Sequence, residues 1–279
     1  MKRVHFWLLL CVLGLLVTGS PPVLAQEMSE IPQITIEATS DGFTAPEEIP
    51  EGVVRISAAN NTEAPIIPVP TRFNEGVTLD DFMEALSQGE EAVLPLISLL
   101  GGQTIMPGTT VDVIYDLTPG NYVFAVFAGF DEAPGVYPFT VADEEGDGAS
   151  MPEADLEVNL VDFAFGIPLE IAAGAHTVHL ENRGEQWHEM FIGRVDETLT
   201  MSEIHERLAQ ALAEATAEEP LEGIEEVAFW FPMSPGEQAW LTLDLEPGTY
   251  LILCGLPDLS GSGHAHAELG MRQIFTVSD

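Results

Sequence analysis

Apolar and polar residues alternate in short runs through most of this chain. Ile34-Thr-Ile36-Glu-Ala38 reads as a strand with one buried face, and Gly52-Val-Val-Arg-Ile56, ending at Asn60, reads as the next long one. Tyr250-Leu-Ile-Leu-Cys254 has the same alternating character, and Ile274-Phe-Thr-Val277 closes the chain as a further strand. Pro-Gly pairs at 107–108, 119–120, 235–236 and 247–248 punctuate these runs. Many short strands between such turns predict an all-β sandwich or barrel. Two stretches break the pattern with helical spacing. Thr200-x-x-Glu203 has the form of a capping box. Met201, Ile204, Leu208, Ala211, Leu212 and Ala215 then recur on one helix face, with Pro220 just beyond. Leu79, Phe82, Met83 and Leu86 do the same after Thr78. The methionines in these inserts read as core filler. Ala92 to Leu100, interrupted by Pro95, reads as buried packing and is too short to cross a bilayer.

The two helical inserts belong to an internal repeat. Phe43-x-x-Pro46, Ile49, Gly52 and Asn60 return as Phe165-x-x-Pro168, Ile171, Gly174 and Asn182, at a constant shift of 122 residues. Over 43–86 against 165–208, twelve of the 44 positions are identical, including Arg72/Arg194 and Thr78/Thr200. Farther on the shift is 128: Pro107-Gly108 returns as Pro235-Gly236, and Pro119-Gly-x-Tyr122 as Pro247-Gly-x-Tyr250. Such a repeat predicts two tandem β-sandwich domains, each with a helical insert. The acidic, Gly-containing stretch 144–152 has no apolar period and reads as a solvated linker. The expected units are therefore 30–143 and 153–279.

Composition adds location. Lys2 and Arg3, then an apolar core from Phe6 to Val17, then Val23-Leu24-Ala25, have the form of an export signal spanning 1–25. That core is about twelve residues, short of the roughly 20 that span a bilayer, so cleavage is expected rather than anchoring. Leu8-Leu-Leu-Cys11 faintly resembles a lipoprotein cleavage site, but lies too early and has bulky flanks. The expected mature chain is periplasmic, extracellular or on the cell surface, without a transmembrane segment. It holds one cysteine, Cys254, so no internal disulfide can form. A lone thiol in an exported protein is a liability unless buried or bound.

The formal net charge is −38, and all basic residues after the signal are arginines. Phosphate would be repelled, which excludes non-specific nucleic-acid binding. The charge supports solubility in a salty medium, or steering toward a cationic partner.

The candidate chemistry is at the C-terminal end. Cys254, His264, His266 and Met271 lie within eighteen residues. Thiolate, imidazole and thioether together suit an ion cycling between Cu(I) and Cu(II), and a type 1 copper site needs two imidazoles, a thiolate and a weak axial ligand. Both His264 and His266 are candidates; spacing to Met271 favours His266. The second imidazole must come from elsewhere, and His188, in the loop after Asn182, is the candidate. His176, His179 and His205 read as ordinary strand or helix residues. No nucleophile–base pair and no phosphate loop stand out, so an enzyme is not expected.

With these residues in place, the second copy resembles the cupredoxins, the blue type 1 copper family that includes plastocyanin and azurin. The resemblance rests on Gly174-x-x-x-Val178-x-Leu180-x-Asn182 followed by His188, on Pro247-Gly-x-Tyr250-x-x-x-Cys254, on His266-x4-Met271 and on the closing strand. It implies a Greek-key β-sandwich holding one type 1 copper through His188, Cys254, His266 and axial Met271, and an electron-transfer carrier. A module without functional metal and a copper storage or delivery protein are the alternatives. One departure stands out: eleven residues separate Cys254 from His266, where familiar members have few. A loop of that length can leave the centre open to water. In the first copy Ile66 and Val126 stand where His188 and Cys254 do, so that copy is expected to be metal-free.

Overall fold

The computed structural model describes residues 30–128, 134–143, 148–214 and 222–279. The expected export signal, and the acidic run 144–147 of the linker, lie outside the described residues. Among these residues each half contributes nine strands. The first half has β1 (Gln33–Thr39), β2 (Gly42–Thr44), β3 (Glu48–Ile49), β4 (Gly52–Asn61), β5 (Ile67–Phe73), β6 (Ile97–Leu99), β7 (Thr110–Leu117), β8 (Gly120–Phe127) and β9 (Gly135–Val141). The second has β10 (Leu156–Val161), β11 (Ala164–Gly166), β12 (Glu170–Ala172), β13 (Gly174–Asn182), β14 (His188–Val195), β15 (Ile224–Met233), β16 (Gln238–Leu245), β17 (Gly248–Leu253) and β18 (Arg272–Ser278). Strand order is the same in both. One sheet runs β2-β1-β4-β7 or β11-β10-β13-β16, and the facing sheet runs β3-β9-β8-β5-β6 or β12-β18-β17-β14-β15. Each half is a β-sandwich, as the alternating pattern predicts.

The helical inserts form where the spacing places them, as α1 (Leu79–Gln88) and, after the short α2 (Glu90–Val93), as α3 (Met201–Glu214). Both start on capping boxes, Thr78 with Asp81 and Thr200 with Glu203. Each covers the outer face of its sandwich. Phe82 and Ala85 pack on Ile67, Val69, Phe73 and Val123, and Ile204 and Leu208 pack on Val195, Ile224 and Leu251. Tyr250 and Ile252 face the space between the sheets while Leu251 faces the helix side, so β17 is buried on both faces.

The halves are not beads on a linker. The edge strands β7 and β16 pair antiparallel, Tyr115 with Ala239 and Ile114 with Trp240, making one eight-stranded sheet. These are equivalent strands of the two copies, so the halves meet about an approximate two-fold axis, as in an isologous dimer. The pairing also removes two open sheet edges. In the other layer β6 meets β15. Leu99 N donates to Ser234 Oγ and Ser234 N to Leu99 O, each at 2.9 Å, and Phe231 N donates to Gly102 O at 2.7 Å. Phe127 stacks on Phe231 with centroids 4.5 Å apart. Gly101 and Gly102 permit this approach: a Cβ on Gly101 would lie 2.0 Å from the indole nitrogen of Trp230, and one on Gly102 2.6 Å from Pro68 O. The interior is accordingly one continuous core, running from Ile36 and Val54 through Leu100 and Trp230 to Ile252 and Phe275. Part of the expected linker also packs: Ala149, together with Ile31 and with Ala154 just beyond the linker, lies against Val53, Ile114 and Trp240 across the seam.

A shared core and a shared sheet couple the halves energetically. The chain is expected to unfold in a single calorimetric transition, and Trp230→Ala, at an expected cost of about 3–5 kcal/mol, should lower that transition without splitting it. Two transitions in the unmutated chain would show that the halves are independent.

Candidate metal centre

Strand β13 ends at Asn182, which is fully buried. Its amide nitrogen donates to Gln186 O (2.9 Å) and Met233 O (2.7 Å), and its Oδ1 accepts from Gly184 N (2.9 Å). These bonds wind 183–187 into a turn that delivers His188 at the start of β14. Asn60 in the first half makes the matching set, to Ala64 O and Ile105 O, with Thr62 N donating to it. The turn is therefore scaffold common to both copies. Chemistry enters where the copies differ: His188 replaces Ile66, Asp162 Ser40, Gly184 Thr62 and Gln186 Ala64.

The other side is laced through the backbone. Cys254, just past β17, donates its N–H to Met271 O (3.1 Å), and its carbonyl accepts from Ala267 N (2.9 Å). Met271 N donates to His266 O and His266 N to Leu256 O, both at 2.8 Å. His266 opens the single turn α4 (His266–Leu269). The 266–271 segment is thus a tight turn that holds Cys254, His266 and Met271 together, and the side chains of all three are fully buried.

The two imidazoles meet through their Nδ1 atoms, 3.1 Å apart, and Cys254 Sγ lies 3.4 Å from His266 Nδ1. His188, Cys254 and His266 each bring one ligand atom, all within 4.8 Å of one another. The outward nitrogens fix the tautomers. His188 Nε2 lies 2.9 Å from Asp162 Oδ1, which also accepts from Glu185 N and Gln186 N; a carboxylate only accepts, so the proton is on Nε2. His266 Nε2 lies 3.3 Å from Gln186 Oε1. That atom must be the amide oxygen, because Leu259 N donates to it at 2.7 Å. Both Nδ1 lone pairs therefore point into the same small space. Two lone pairs at that distance repel unless a cation or shared proton lies between them. Two nitrogens at about 2.0–2.1 Å from one tetrahedral ion would lie about 3.3 Å apart, close to the spacing here. The donor set fits a borderline-to-soft metal. Asp162 and Gln186 supply the outer hydrogen bonds that metal-ligating imidazoles use.

Burial sets the charge states. It pushes the Cys254 thiol up to about 12, helped by the Glu189 carboxylate. It also lowers His188 and His266 below the ordinary imidazole value, with mutual repulsion adding to the effect at His266. Glu189 itself is raised by burial to about 7, against the Gly255 N–H that it accepts. Burial opposes ionisation of Asp162, but the backbone N–H groups of Glu185 and Gln186 and the His188 ring hold its carboxyl below the usual range.

The other sequence candidates lie elsewhere. His264 is exposed, 3.6 Å from Glu268, and outside the donor group. His176 bonds Asp155 and Ala172 O; His179 bonds Glu157 and stacks on Trp240. The side chain of His205 lies outside the described residues. The long loop does not leave the centre open: Asp258, Ser260 and Pro257 fold it onto Gln186, and His266 is 0% exposed. Sequence reading missed Asp162, Gln186, Glu189 and Gly184. A Cβ on Gly184 would lie 2.4 Å from Asp162 Oδ1 and 2.5 Å from His188 Nε2, in the path of their hydrogen bond. Comparison of the two copies was the available signal, since all four of these positions change together with His188.

No protein-family model and no curated protein matches this sequence. Solved structures to which the chain is similar include cupredoxins, multicopper oxidases and a copper-containing nitrite reductase. The sodium-dithionite-reduced auracyanin of Roseiflexus castenholzii is 24% identical over 44% of this chain and 95% of its own, with a TM-score of 0.31. Auracyanin A of Chloroflexus aurantiacus, described as a "blue" copper protein, is 20% identical over 44% and 96%, with a TM-score of 0.29. The blue copper oxidase of Nitrosomonas europaea is 15% identical over 88% and 84%, with a TM-score of 0.24.

Metal binding at this centre must displace the thiol proton, while the imidazoles are already neutral at pH 7. Affinity for a divalent ion such as Co(II) is expected to rise about tenfold per pH unit between pH 8 and 10, with one proton released per ion. Calorimetry in buffers of different ionisation enthalpy measures this, and release of no proton would exclude thiolate ligation. Gly184→Ala should weaken metal binding at least tenfold by separating His188 from Asp162, with circular dichroism unchanged.

Proposed function

We propose that this chain is an exported one-electron carrier whose C-terminal half holds a single type 1 copper through His188, Cys254 and His266, with Met271 as weak axial ligand. The observation that carries this reading is the convergence of two unprotonated Nδ1 atoms and a thiol in a pocket closed to water. Copper bound there would supply a Cu(I)/Cu(II) couple at a site of imidazole, thiolate and thioether donors. The chain's own part is to keep those donors fixed. Asp162 and Gln186 hold the two rings from outside, the 254–271 backbone ties hold the sulfur donors, and β14 is anchored through β15 to the first half. Donors that cannot move favour fast electron exchange, because little rearrangement accompanies a change of charge. The same burial disfavours the storage or delivery reading, which needs an accessible ion. His176 and His179 are engaged by their own carboxylates, which favours a carrier with one centre over an oxidase. In the first half, Ile66 lies buried in the core where His188 stands in the second, so that half is assigned a supporting role.

Among the described residues no helix is long and apolar enough to cross a membrane. Export, cleavage after Ala25 and a location outside the cytoplasm remain part of the proposal, resting on the N-terminal sequence. The net charge of −38 directs the carrier toward a partner with a basic surface.

Titration of the purified chain with Cu(II) should give a strong visible thiolate-to-copper band at one equivalent, absent in Cys254→Ser. No band with intact protein would overturn the assignment. Met271→Leu should retain copper and raise the reduction potential, as loss of an axial donor disfavours Cu(II); loss of all copper would contradict a weak axial role. Electron exchange with a basic redox protein should slow at least tenfold between low and high salt.

A further inference from the structure

The long insertion between Cys254 and His266 has a latch, and the latch is a single amide. Asp258, buried in that loop, accepts from Ser260 N (3.0 Å) and Ser262 N (3.4 Å), and from the Ser260 hydroxyl. Its own N–H donates to His264 O (2.9 Å), and Pro257 bridges to Ala265, so the loop closes on itself. The closed loop is then fastened to the His188 turn by Gln186. Gln186 Nε2 donates to Asp258 Oδ1 (2.9 Å), and Gln186 Oε1 accepts from Leu259 N (2.7 Å) and from His266 Nε2 (3.3 Å). The backbone of Gln186 is itself fixed at both ends, by Asn182 Nδ2 on its carbonyl and Asp162 Oδ1 on its N–H.

We infer that Gln186 is a positioning residue: it seals the 255–265 loop over the imidazole pair and holds the His266 proton on Nε2, so that Nδ1 is the atom offered to a metal. The inference deepens the copper reading and rests on it for its metal-exchange consequence. Both functions need an amide. The oxygen must accept twice, from Leu259 N and His266 Nε2, while the nitrogen donates to the Asp258 carboxylate. A carboxylate could accept from the ring but would repel Asp258; an aliphatic side chain could do neither. The two imidazoles are therefore held unequally, His188 by an ionised carboxylate and His266 by a neutral amide. A negative charge on the His266 side would strengthen that ring as a donor and favour the more highly charged ion. In the first half Ala64 occupies the equivalent position and has no side-chain polar group to hold a loop.

Three full-length variants separate these roles. Imidazole nitrogen NMR of the metal-free chain reads the tautomer directly, and transfer of bound copper to a chelator reads the seal. In the unmutated chain His266 should show a protonated Nε2. Gln186→Leu should lose that tautomer preference and release copper at least tenfold faster, with His188 unchanged. Gln186→Glu should keep the tautomer, because an acceptor remains, but should release copper faster through repulsion of Asp258 and lower the reduction potential. Asp258→Ala should speed release and leave the tautomer intact, and it tests the seal even where Gln186→Leu does not fold. An unchanged His266 tautomer in Gln186→Leu, or an unchanged release rate in both Gln186→Leu and Asp258→Ala, would overturn the inference. A chain that binds no copper would overturn the function proposed above but leave the NMR comparison decisive for Gln186.

Discussion

Two imidazole lone pairs and a thiol, brought within 4.8 Å of one another among fully buried side chains, are the constraint on which this structure turns. Apart from a weak hydrogen bond from the Cys254 thiol to His266 Nδ1, none of these groups gains by the arrangement alone. The lone pairs repel, the thiol is kept protonated by burial, and the desolvated rings are poor bases. The surroundings hold them there nonetheless. Backbone bonds among Cys254, His266 and Met271 fix one wall, and the Asn182 turn fixes the other. Asp162 and Gln186 determine which nitrogens face inward. Such preorganisation is costly in the metal-free protein and becomes favourable when a cation occupies the shared space.

The first half shows what the scaffold needs without the metal. Its strand order, its Asn60 turn and its capped helix repeat those of the second half, while Ile66 fills the place of His188 with core packing. It also supports the centre physically. Met233, whose carbonyl holds Asn182, sits on β15, and β15 is pinned to the first half by Ser234, Phe231 and the Leu100–Met233 bridge. Trp187, next to His188, packs against the first half's outer cluster of Val69, Phe73 and Phe82. Loosening the seam would be felt at the His188 turn.

Much of this was legible in the sequence because it is local. Strand alternation, the 122-residue repeat and the Thr200–Glu203 capping box are patterns within a few residues or a fixed shift, and the all-β class with two tandem units follows from them. Cys254, His266 and Met271 share one segment, so their grouping was legible too. His188 was a candidate only by its place in the loop after Asn182, because what brings it to Cys254 is the pairing of β14 with β17 in one sheet, a contact between distant segments. Asp162 was illegible for a sharper reason: its approach to His188 depends on the parallel pairing of β10 with β13, which no short-range pattern encodes. The closure of the long loop was misjudged, since loop length alone says nothing about a Gln186–Asp258 bond across 72 residues. The shared sheet was equally hidden, as β7 and β16 each read as an ordinary strand and only the assembled fold shows that their free edges meet. Burial of β17 on both faces came from α3, whose position no alternation in the strand itself announces.

A copper carrier of this kind requires that one ion occupy the space between these donors through the atoms that face it. A crystal structure of the full-length chain loaded with one equivalent of copper, with anomalous differences collected at the copper edge, tests this most directly. The account predicts a single strong peak within bonding distance of Nδ1 of His188, Nδ1 of His266 and Sγ of Cys254. A peak at His264 or at the exposed acidic surface, or ligation through either Nε2, would contradict it.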